Sequence, residues 1–370
     1  MLTSFSGTSP EFLSSYGWNG FFENQLESIS VEGTEHVLAR IVGEEKSLYR
    51  AQVSLDLTLP ATLSGKLRHE TSHRERMPAV GDWVVCQVSG EMGVIKHVLE
   101  RKSMIARKTV GAKAEAQILA TNVDTFFIAT SLNEDLNPRR LERYLTIGWD
   151  SRAVPVILLT KADLHDDPEG ALEDLRAEFP GVDIHALTAK DTQTLESLKP
   201  YLRLGTTAVI AGSSGVGKST LTNLLLGEEV LLTQEIREHD GRGRHTTTSR
   251  YLFRSPLGGL IIDTPGMREL QLLDHEEGLS QQFADVEALT RTCKFTDCGH
   301  GSEPGCAVKR ALANGELEPG RWESFQKLLR EIAFAMRKVD RALAAEEKAK
   351  WKKIHKEAAE HTRLKKRHGY

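Results

Sequence analysis

Gly212-Ser213-Ser214-Gly215-Val216-Gly217-Lys218-Ser219 is the stretch whose residue types and spacing carry the sharpest chemistry, because it fits G-x-x-x-x-G-K-[ST]. The apolar run Ala208-Val209-Ile210-Ala211 precedes it, and a helical pattern over Thr220–Leu226 follows. A strand before and a helix after are the context that makes this motif a phosphate cradle. The glycines let backbone N–H groups turn inward around a β-phosphate. Lys218 reaches the β- and γ-phosphates and is read as catalytic through charge neutralisation. The Ser219 hydroxyl is offered to Mg²⁺, and the helix N-terminus at Thr220 adds a favourable dipole. The whole loop, Gly212, Ser213, Ser214, Gly215, Val216, Gly217, Lys218, Ser219 and Thr220, is therefore the expected phosphate site.

A second phosphate element lies about 45 residues after Lys218, where Asp263-Thr264-Pro265-Gly266 follows the apolar run Leu260-Ile261-Ile262. Asp263 at that strand end is expected to hold Mg²⁺ through water, and the Gly266 N–H to sense the γ-phosphate. Between the two elements runs Gly241-Arg242-Gly243-Arg244-His245-Thr246-Thr247-Thr248. One of its threonines should close over Mg²⁺ and the γ-phosphate as a first switch.

A phosphate loop does not choose a base. Thr160-Lys161-Ala162-Asp163, at the end of the apolar run Val154–Leu159, fits [NT]-K-x-D. Its carboxylate, Asp163, would accept two hydrogen bonds from guanine, while the Lys161 stem covers the ring. Adenine lacks that donor pair and would leave a buried Asp163 unpaired, a loss worth orders of magnitude in selectivity. Leu187-Thr188-Ala189-Lys190, at the next strand end, fits a loop that contacts the guanine O6 from its backbone. Each tetrapeptide is weak alone, but the tandem is specific. Cys293, Cys298, His300 and Cys306 form a further cluster, C-x4-C-x-H-x5-C. Three thiolates and one imidazole complete a closed tetrahedral Zn²⁺ site of the structural kind. The fourth cysteine, Cys86, reads as core packing.

The elements that must position these residues are legible in outline. Strand patterns at Val123–Thr130, Val154–Thr160, Asp183–Leu187, Thr207–Ala211 and Leu260–Asp263 alternate with helical ones at Pro138–Trp149, Glu169–Phe179 and Thr194–Leu202. That alternation predicts a parallel sheet wrapped by helices. Before it, short alternating runs at His36–Ile41, Leu48–Val53, Trp83–Val88 and Gly93–Val98 predict a small β barrel. A five-stranded oligonucleotide-binding (OB) barrel fits the size, and pattern alone leaves an SH3-like barrel open. Residues Pro319 to about Lys356 read as one or two long helices. Residues 1–30 read as a flexible extension, although Phe12, Trp18, Phe21 and Phe22 offer docking groups.

Composition sets bounds. A chain of 370 residues with 39% hydrophobic and 27% charged residues has the make-up of a soluble multidomain protein. Four cysteines exclude a disulfide scaffold. Val154–Leu159, the longest apolar run, falls far short of the roughly 20 residues of a membrane helix. No Lys or Arg precedes Arg40, which fits neither a secretory nor a mitochondrial leader. A cytoplasmic protein without membrane contact is expected. The net charge of −4 argues against nucleic acid, yet it hides a split. Residues 348–370 carry nine Lys and Arg against two Glu, a local charge of +7, leaving −11 on the rest. That tail, with Trp351, is suited either to rRNA phosphates or to a solvated helix end. Arg237, Arg242, Arg244 and Arg250 make a second basic stretch.

The base-reading loops precede the phosphate loop, the reverse of the order in most GTPases, so the domain is circularly permuted. Permutation places Asp263–Gly266 at the C-terminal edge of the nucleotide domain, where movement would pass into the cysteine-bearing segment. With Gly81-Asp82-Trp83-Val84 and Asn122-Val123-Asp124, the set from about residue 35 to 340 resembles the ribosome small-subunit-dependent GTPase A family (RsgA/YjeQ). The resemblance implies a multi-domain α/β protein. Its parts would be an OB-type barrel (31–110), a circularly permuted P-loop GTPase domain (115–275) and a helical zinc-binding domain (276–347), with the flexible extension (1–30) and the basic tail (348–370) read from residue make-up outside the resemblance. It further implies a monomeric GTP hydrolase using GTP, Mg²⁺ and one structural Zn²⁺. Its partners would be the small ribosomal subunit and its rRNA, with subunit-stimulated turnover in late maturation. Met267 stands where many GTPases carry a water-orienting glutamine. In the resembled family a histidine beside the switch-one threonines is thought to serve instead, which points to His245 as catalytic, with an RNA contact as the other role open to it. Thr247 best matches the catalytic, Mg²⁺-sensing threonine, with Thr246 and Thr248 beside it. The competing readings are a permuted GTPase for large-subunit assembly and an rRNA-binding scaffold with negligible hydrolysis.

Overall fold

The computed structural model describes residues 8–29, 36–45, 48–70, 77–108, 116–133, 136–188, 192–227, 250–263, 276–301 and 303–334. The chain starts with a folded segment. Helix α1 (Pro10–Ser15) has Pro10 in its first turn and the Ser9 hydroxyl accepting the Phe12 N–H. Helix α2 (Gly20–Glu23) is capped by the Asn19 side chain, which accepts the Phe21 N–H. Phe12 and Phe22 are fully buried. The expected flexible extension is thus corrected for residues 8–29. Its aromatics gather around Trp83, Phe12 at 5.8 Å and Trp18 at 5.0 Å between ring centroids, both edge to face. Edge-to-face pairs at this spacing add to what apolar burial contributes.

Five strands then close a barrel: β1 (His36–Glu45), β2 (Leu48–Gln52), β3 (Thr58–Leu63), β4 (Trp83–Ser89) and β5 (Met92–Val98). The order is β1-β2-β3-β5-β4, with β4 returning to β1 and β3–β5 parallel. That closure selects the OB-type barrel over the SH3-like alternative. Ala39, Ile41, Ala51, Ala61, Val84, Cys86 and Ile95 fill it. Cys86 is core packing, and burial pushes its thiol up to about 12. Helix α3 (Gly65–Glu70) links β3 to β4. The turn into β4 needs Gly81, whose φ is +100° and whose added Cβ would stand 2.1 Å from the Thr121 carbonyl oxygen. A hairpin of β6 (Met104–Lys108) and β7 (Ala116–Thr121) leads on.

The nucleotide sheet runs β10 (Asp183–Ala186), β9 (Val154–Thr160), β8 (Thr125–Ser131), β11 (Thr207–Gly212), β13 (Leu260–Asp263) and β12 (Arg250–Arg254). The first five are parallel, and β12 pairs antiparallel with β13. Strands β8 and β11 are buried along their whole length, as strands covered on both faces must be. Helices α4 (Pro138–Asp150) and α5 (Pro168–Glu178) start alike. Proline sits in the first turn, and Asn137 or Asp167 accepts a backbone N–H of that turn. Helices α6 (Thr192–Leu198) and α7 (Lys218–Leu226) complete the domain. Strand β12 also pairs with β1, so barrel and nucleotide sheet form one eleven-stranded sheet.

Helix Glu276–Gln282 and helical residues 319–334 pack against α4, helix Ala284–Arg291 packs against Glu276–Gln282, and helix Ala307–Asn314 packs against Ala284–Arg291. Fully buried Glu142 of α4 accepts from Arg139 at 2.8 Å, from Arg321 at 3.2 Å and from the Ser324 hydroxyl. Burial raises its carboxyl pKa, and these partners oppose that rise. Among the described residues no helix is long and apolar enough to cross a membrane.

Candidate functional site

The carboxyl ends of β8, β9, β10, β11 and β13 lie along one edge of the parallel sheet. That edge is where open α/β sheets bind ligands. Strand β11 ends at Gly212, in register with Ala129 of β8. Gly212 has φ +146°, and an added Cβ would lie 2.2 Å from the Ala129 carbonyl oxygen. Only glycine lets the chain leave the strand there. Gly215 at φ +81° and Gly217 at +91° continue the loop, and Gly217 caps α7. Val216 is buried among Ile210, Leu221 and their neighbours and roots the loop in the core. Lys218 Nζ donates to the Ser213 carbonyl, which holds the ammonium over the loop. Ser214, Ser219 and Thr220 are exposed and Ser213 is half-buried.

The base-reading strand end is bolted to the phosphate loop. The Thr160 hydroxyl donates to the Val216 carbonyl at 2.5 Å. Lys161, at φ +59°, donates from Nζ to the Gly215 carbonyl at 2.9 Å. The backbone then turns through Ala162–Leu164, and the Ala162 N–H donates to Leu187 O at 3.2 Å, tying the two base loops together. Asp163 is exposed on this edge, where the sequence suggested a buried carboxylate. Thr188 is braced by Thr194 of α6, whose hydroxyl donates to the Thr188 carbonyl at 2.8 Å and accepts its N–H at 3.2 Å. Asp263 ends β13, and burial raises its carboxyl pKa. The structure thus brings Thr160, Lys161, Asp163, Thr188, the loop 212–220 and Asp263 to one edge. Ala189, Lys190, His245, Thr247 with its neighbours Thr246 and Thr248, Gly266, Met267 and the tail 348–370 lie outside the described residues.

The cysteine cluster is assembled. Cys293 Sγ and Cys306 Sγ are 4.0 Å apart, and each lies 3.6 Å from His300 Nδ1. With Cys298, all four donor atoms fall within 4.8 Å of one another. A tetrahedral zinc at ~2.3 Å from sulfur and ~2.05 Å from nitrogen sets edges of ~3.8 Å and ~3.6 Å. The donor set and spacing fit that ion. Local contacts shape the knuckle. His300 takes φ +57° and its ring stands edge-on to Trp322 at 5.3 Å. Glu303 accepts the Gly299 N–H at 2.9 Å and the Gly301 N–H at 2.7 Å.

Sequence reasoning did not find the contacts from Thr160 and Lys161 to the phosphate loop, nor strand β12. Both depend on which strands become neighbours, which local pattern does not encode.

A glycine-rich phosphate loop fixed to an [NT]-K-x-D loop, with the base loops earlier in the chain, defines a circularly permuted P-loop GTPase. Residues 98–273 match the family model described as RsgA GTPase. "Small ribosomal subunit biogenesis GTPase RsgA 1" of Oceanobacillus iheyensis is 48% identical over 331 residues, 89% of this chain and 94% of that one. "Small ribosomal subunit biogenesis GTPase RsgA" of Opitutus terrae is 43% identical over 354 residues, 93% of this chain and 96% of that one. The crystal structure of YloQ, a circularly permuted GTPase, aligns with TM-score 0.58 and 25% identity over 82% of this chain and 98% of that chain. YjeQ from Thermotoga maritima gives TM-score 0.58 and 26% identity over 80% and 99%. The chain belongs to the RsgA GTPase family and is a GTP hydrolase. Membership implies guanine nucleotide and Mg²⁺.

Proposed function

We propose that this chain hydrolyses GTP to GDP and phosphate as a cytoplasmic monomer, in late maturation of the small ribosomal subunit. In this reading the subunit and its rRNA raise turnover. The units of the reading are the barrel over 31–110, the permuted domain over 115–275 and the zinc-bearing helices over 276–347. The carrying observation is the pair of bonds from Thr160 and Lys161 to Val216 and Gly215. They join base recognition to phosphate recognition in one rigid edge.

The division of labour follows from chemistry. Asp163 accepts from the guanine edge, the Lys161 stem covers the ring, and the Thr188–Lys190 loop offers backbone N–H groups. The inward N–H groups of 212–220 and the Lys218 ammonium neutralise phosphate charge where it grows. Ser219, Asp263 and Thr247 would hold Mg²⁺, which would supply positive charge against the phosphates. His245 is assigned to the attacking water on the family resemblance, in place of the glutamine that many GTPases carry where this chain has Met267. Catalysis is then positioning and charge stabilisation, with no covalent intermediate on the protein. Cys293, Cys298, His300 and Cys306 would hold zinc as a structural crosslink, since four protein donors leave no open position.

The test is GTP turnover with and without purified small subunits. A strong rise is expected. An unchanged rate with active subunits refutes stimulation, and intact GTP on the bound subunit in a single-turnover assay would identify a scaffold. Recovery of large-subunit rRNA alone would redirect the reading to the other subunit.

A further inference from the structure

Strand β1 serves two sheets. Its first half, His36–Arg40, pairs with β4 and closes the barrel. Its second half pairs with β12, Gly43 opposite Tyr251 and Glu44 opposite Arg250. The pairing of β1 with β2 shifts register between Ile41 and Gly43. A bulge of this kind bends a strand and re-aims the residues beyond it. Strand β12 in turn pairs with β13, with Tyr251 opposite Asp263. Gly43, Tyr251 and Asp263 therefore stand in one line across three strands. At ~5 Å per antiparallel step, the barrel backbone lies ~10 Å from the aspartate of the phosphate site.

Three ties fasten this joint. Arg250, the first residue of β12, is 6% exposed. Its guanidinium donates to Glu44 Oε2 at 3.1 Å on β1 and to the Ile118 carbonyl at 3.1 Å on β7. The Tyr251 hydroxyl donates to Glu45 Oε1 at 3.1 Å, an oxygen that also accepts from Arg50 at 2.7 Å. Tyr251 packs closely over Gly43, since a Cβ there would meet its ring carbons at 3.1 Å. A charged tie is a poor choice for raw stability and a good one for fixing register, because a partly buried guanidinium tolerates few alternative positions.

We infer that the β1–β12 joint sets the position of Asp263, with Arg250 and Glu44 as positioning residues, and that an rRNA partner on the barrel acts on GTP turnover through it. The inference rests on the reading that Asp263 serves Mg²⁺ and that the small subunit stimulates hydrolysis. The bonds above tie Arg250 and Glu44 to each other and to β7. Their removal changes how far the subunit raises turnover and how much Mg²⁺ nucleotide binding requires, and at saturating Mg²⁺ leaves the unstimulated rate in place.

The experiment compares wild type with Glu44→Gln, Arg250→Gln, the double variant, Arg250→Lys and Tyr251→Phe. It reads the stimulated-to-basal turnover ratio with small subunits. It also reads the Mg²⁺ concentration that half-supports binding of a fluorescent GTP analogue. Coupling between sites commonly amounts to a change of about 5–150-fold, so each Gln variant should lose at least about fivefold of the ratio. Its Mg²⁺ midpoint should rise. The double variant should lose no more than either single one, and Arg250→Lys should recover part of the loss. Tyr251→Phe removes one hydroxyl and keeps the ring, so it guards against misfolding as the cause and should show a smaller loss of the same kind. Wild-type ratio and wild-type midpoint in both Gln variants would overturn the inference. If wild type itself is not stimulated, the functional reading fails, while the Mg²⁺ midpoints still decide whether the joint positions Asp263.

Discussion

Phe12→Ala is the sharpest perturbation of the N-terminal segment. Phe12 is fully buried, with its ring centroid 4.9 Å from that of Tyr16 and 5.8 Å from that of Trp83. Truncating a buried phenylalanine costs about 3–5 kcal/mol, from lost transfer energy and an unfilled cavity. The edge-on pair with Trp83 adds about 0.5–1.5 kcal/mol beyond apolar burial. The segment joins the body at several other points. The Arg40 guanidinium donates to the Tyr16 carbonyl, and to Thr207 Oγ1 at 3.3 Å. Burial pulls that guanidinium down to about 10, so it stays charged at neutral pH. Gln25 accepts the Glu100 N–H at 2.6 Å. The loss should therefore appear as local opening of residues 8–29 and not as global unfolding. A loss of about 3 kcal/mol speeds amide exchange roughly a hundredfold. The amides to follow are Tyr16, bonded to Phe12 O at 2.9 Å, and Trp18, bonded to Leu13 O at 2.8 Å. Phe21→Ala is the control, because Phe21 is 43% exposed and its one edge-on partner is Phe22, so it should change exchange by about 1 kcal/mol or less. Equal exchange in the two variants would refute the docked segment.

Asp163→Asn should weaken GTP binding by at least about a hundredfold and improve xanthosine triphosphate, since a site built for one donor pattern rejects another strongly; unchanged selectivity in a competition assay would remove Asp163 from the base. Metal analysis should find about one zinc per chain, and Cys306→Ser should lose it while the serine hydroxyl keeps the cap of helix Ala307–Asn314, where Cys306 Sγ accepts the Lys309 N–H at 3.5 Å; full zinc in that variant contradicts the assignment. The Cys86 thiol, pushed up to about 12 by burial, should be a thiolate in only about one part in ten thousand at pH 8. Its alkylation should await unfolding, and rapid modification of Cys86 in the native protein would contradict the barrel core.

The nucleotide half was the most legible part of the sequence. Strand β9 runs Val154–Thr160, the bounds its apolar run dictates, because a strand buried on both faces writes a continuous apolar signal. The phosphate loop was legible because its chemistry is local and its glycines have no substitutes. Strand β12 was not. Arg250-Tyr251-Leu252-Phe253-Arg254 is five residues with arginine at both ends, and Arg250 is buried only because Glu44, over two hundred residues away, meets it. Strand β3 contains Pro60, which argues against a strand unless its neighbours ask nothing of the missing N–H. The N-terminal segment offered its aromatics and its Ser9-Pro10 start, but not Trp83, the group they enclose. Local periodicity names elements; long-range partners decide what a buried arginine or an exposed-looking aromatic is for.

Permutation places the cysteine-bearing helices directly after the second phosphate element, which suggests that motion of one drives the other. The packing argues for a different route. Helix Glu276–Gln282 lies so close to α4 that a Cβ on Gly278 would stand 2.1 Å from the Thr146 carbonyl oxygen. Arg321 holds Asp285 at 2.7 Å and Glu142 at 3.2 Å, with its guanidinium 4.8 Å from the centre of the Phe283 ring. Arg143 reaches Glu331 at 2.9 Å. Pulling the helices off α4 would break the bonds that Glu142 accepts from Arg321 and Ser324, each worth about 1.5–3 kcal/mol for a charged group, and would expose the apolar faces packed there. Coupling between sites typically amounts to about 1–3 kcal/mol. Helix Glu276–Gln282 and the helical residues 319–334 are therefore expected to move with α4. The strand joint at Arg250 is the other route, because it runs from the barrel to Asp263 through directly paired strands.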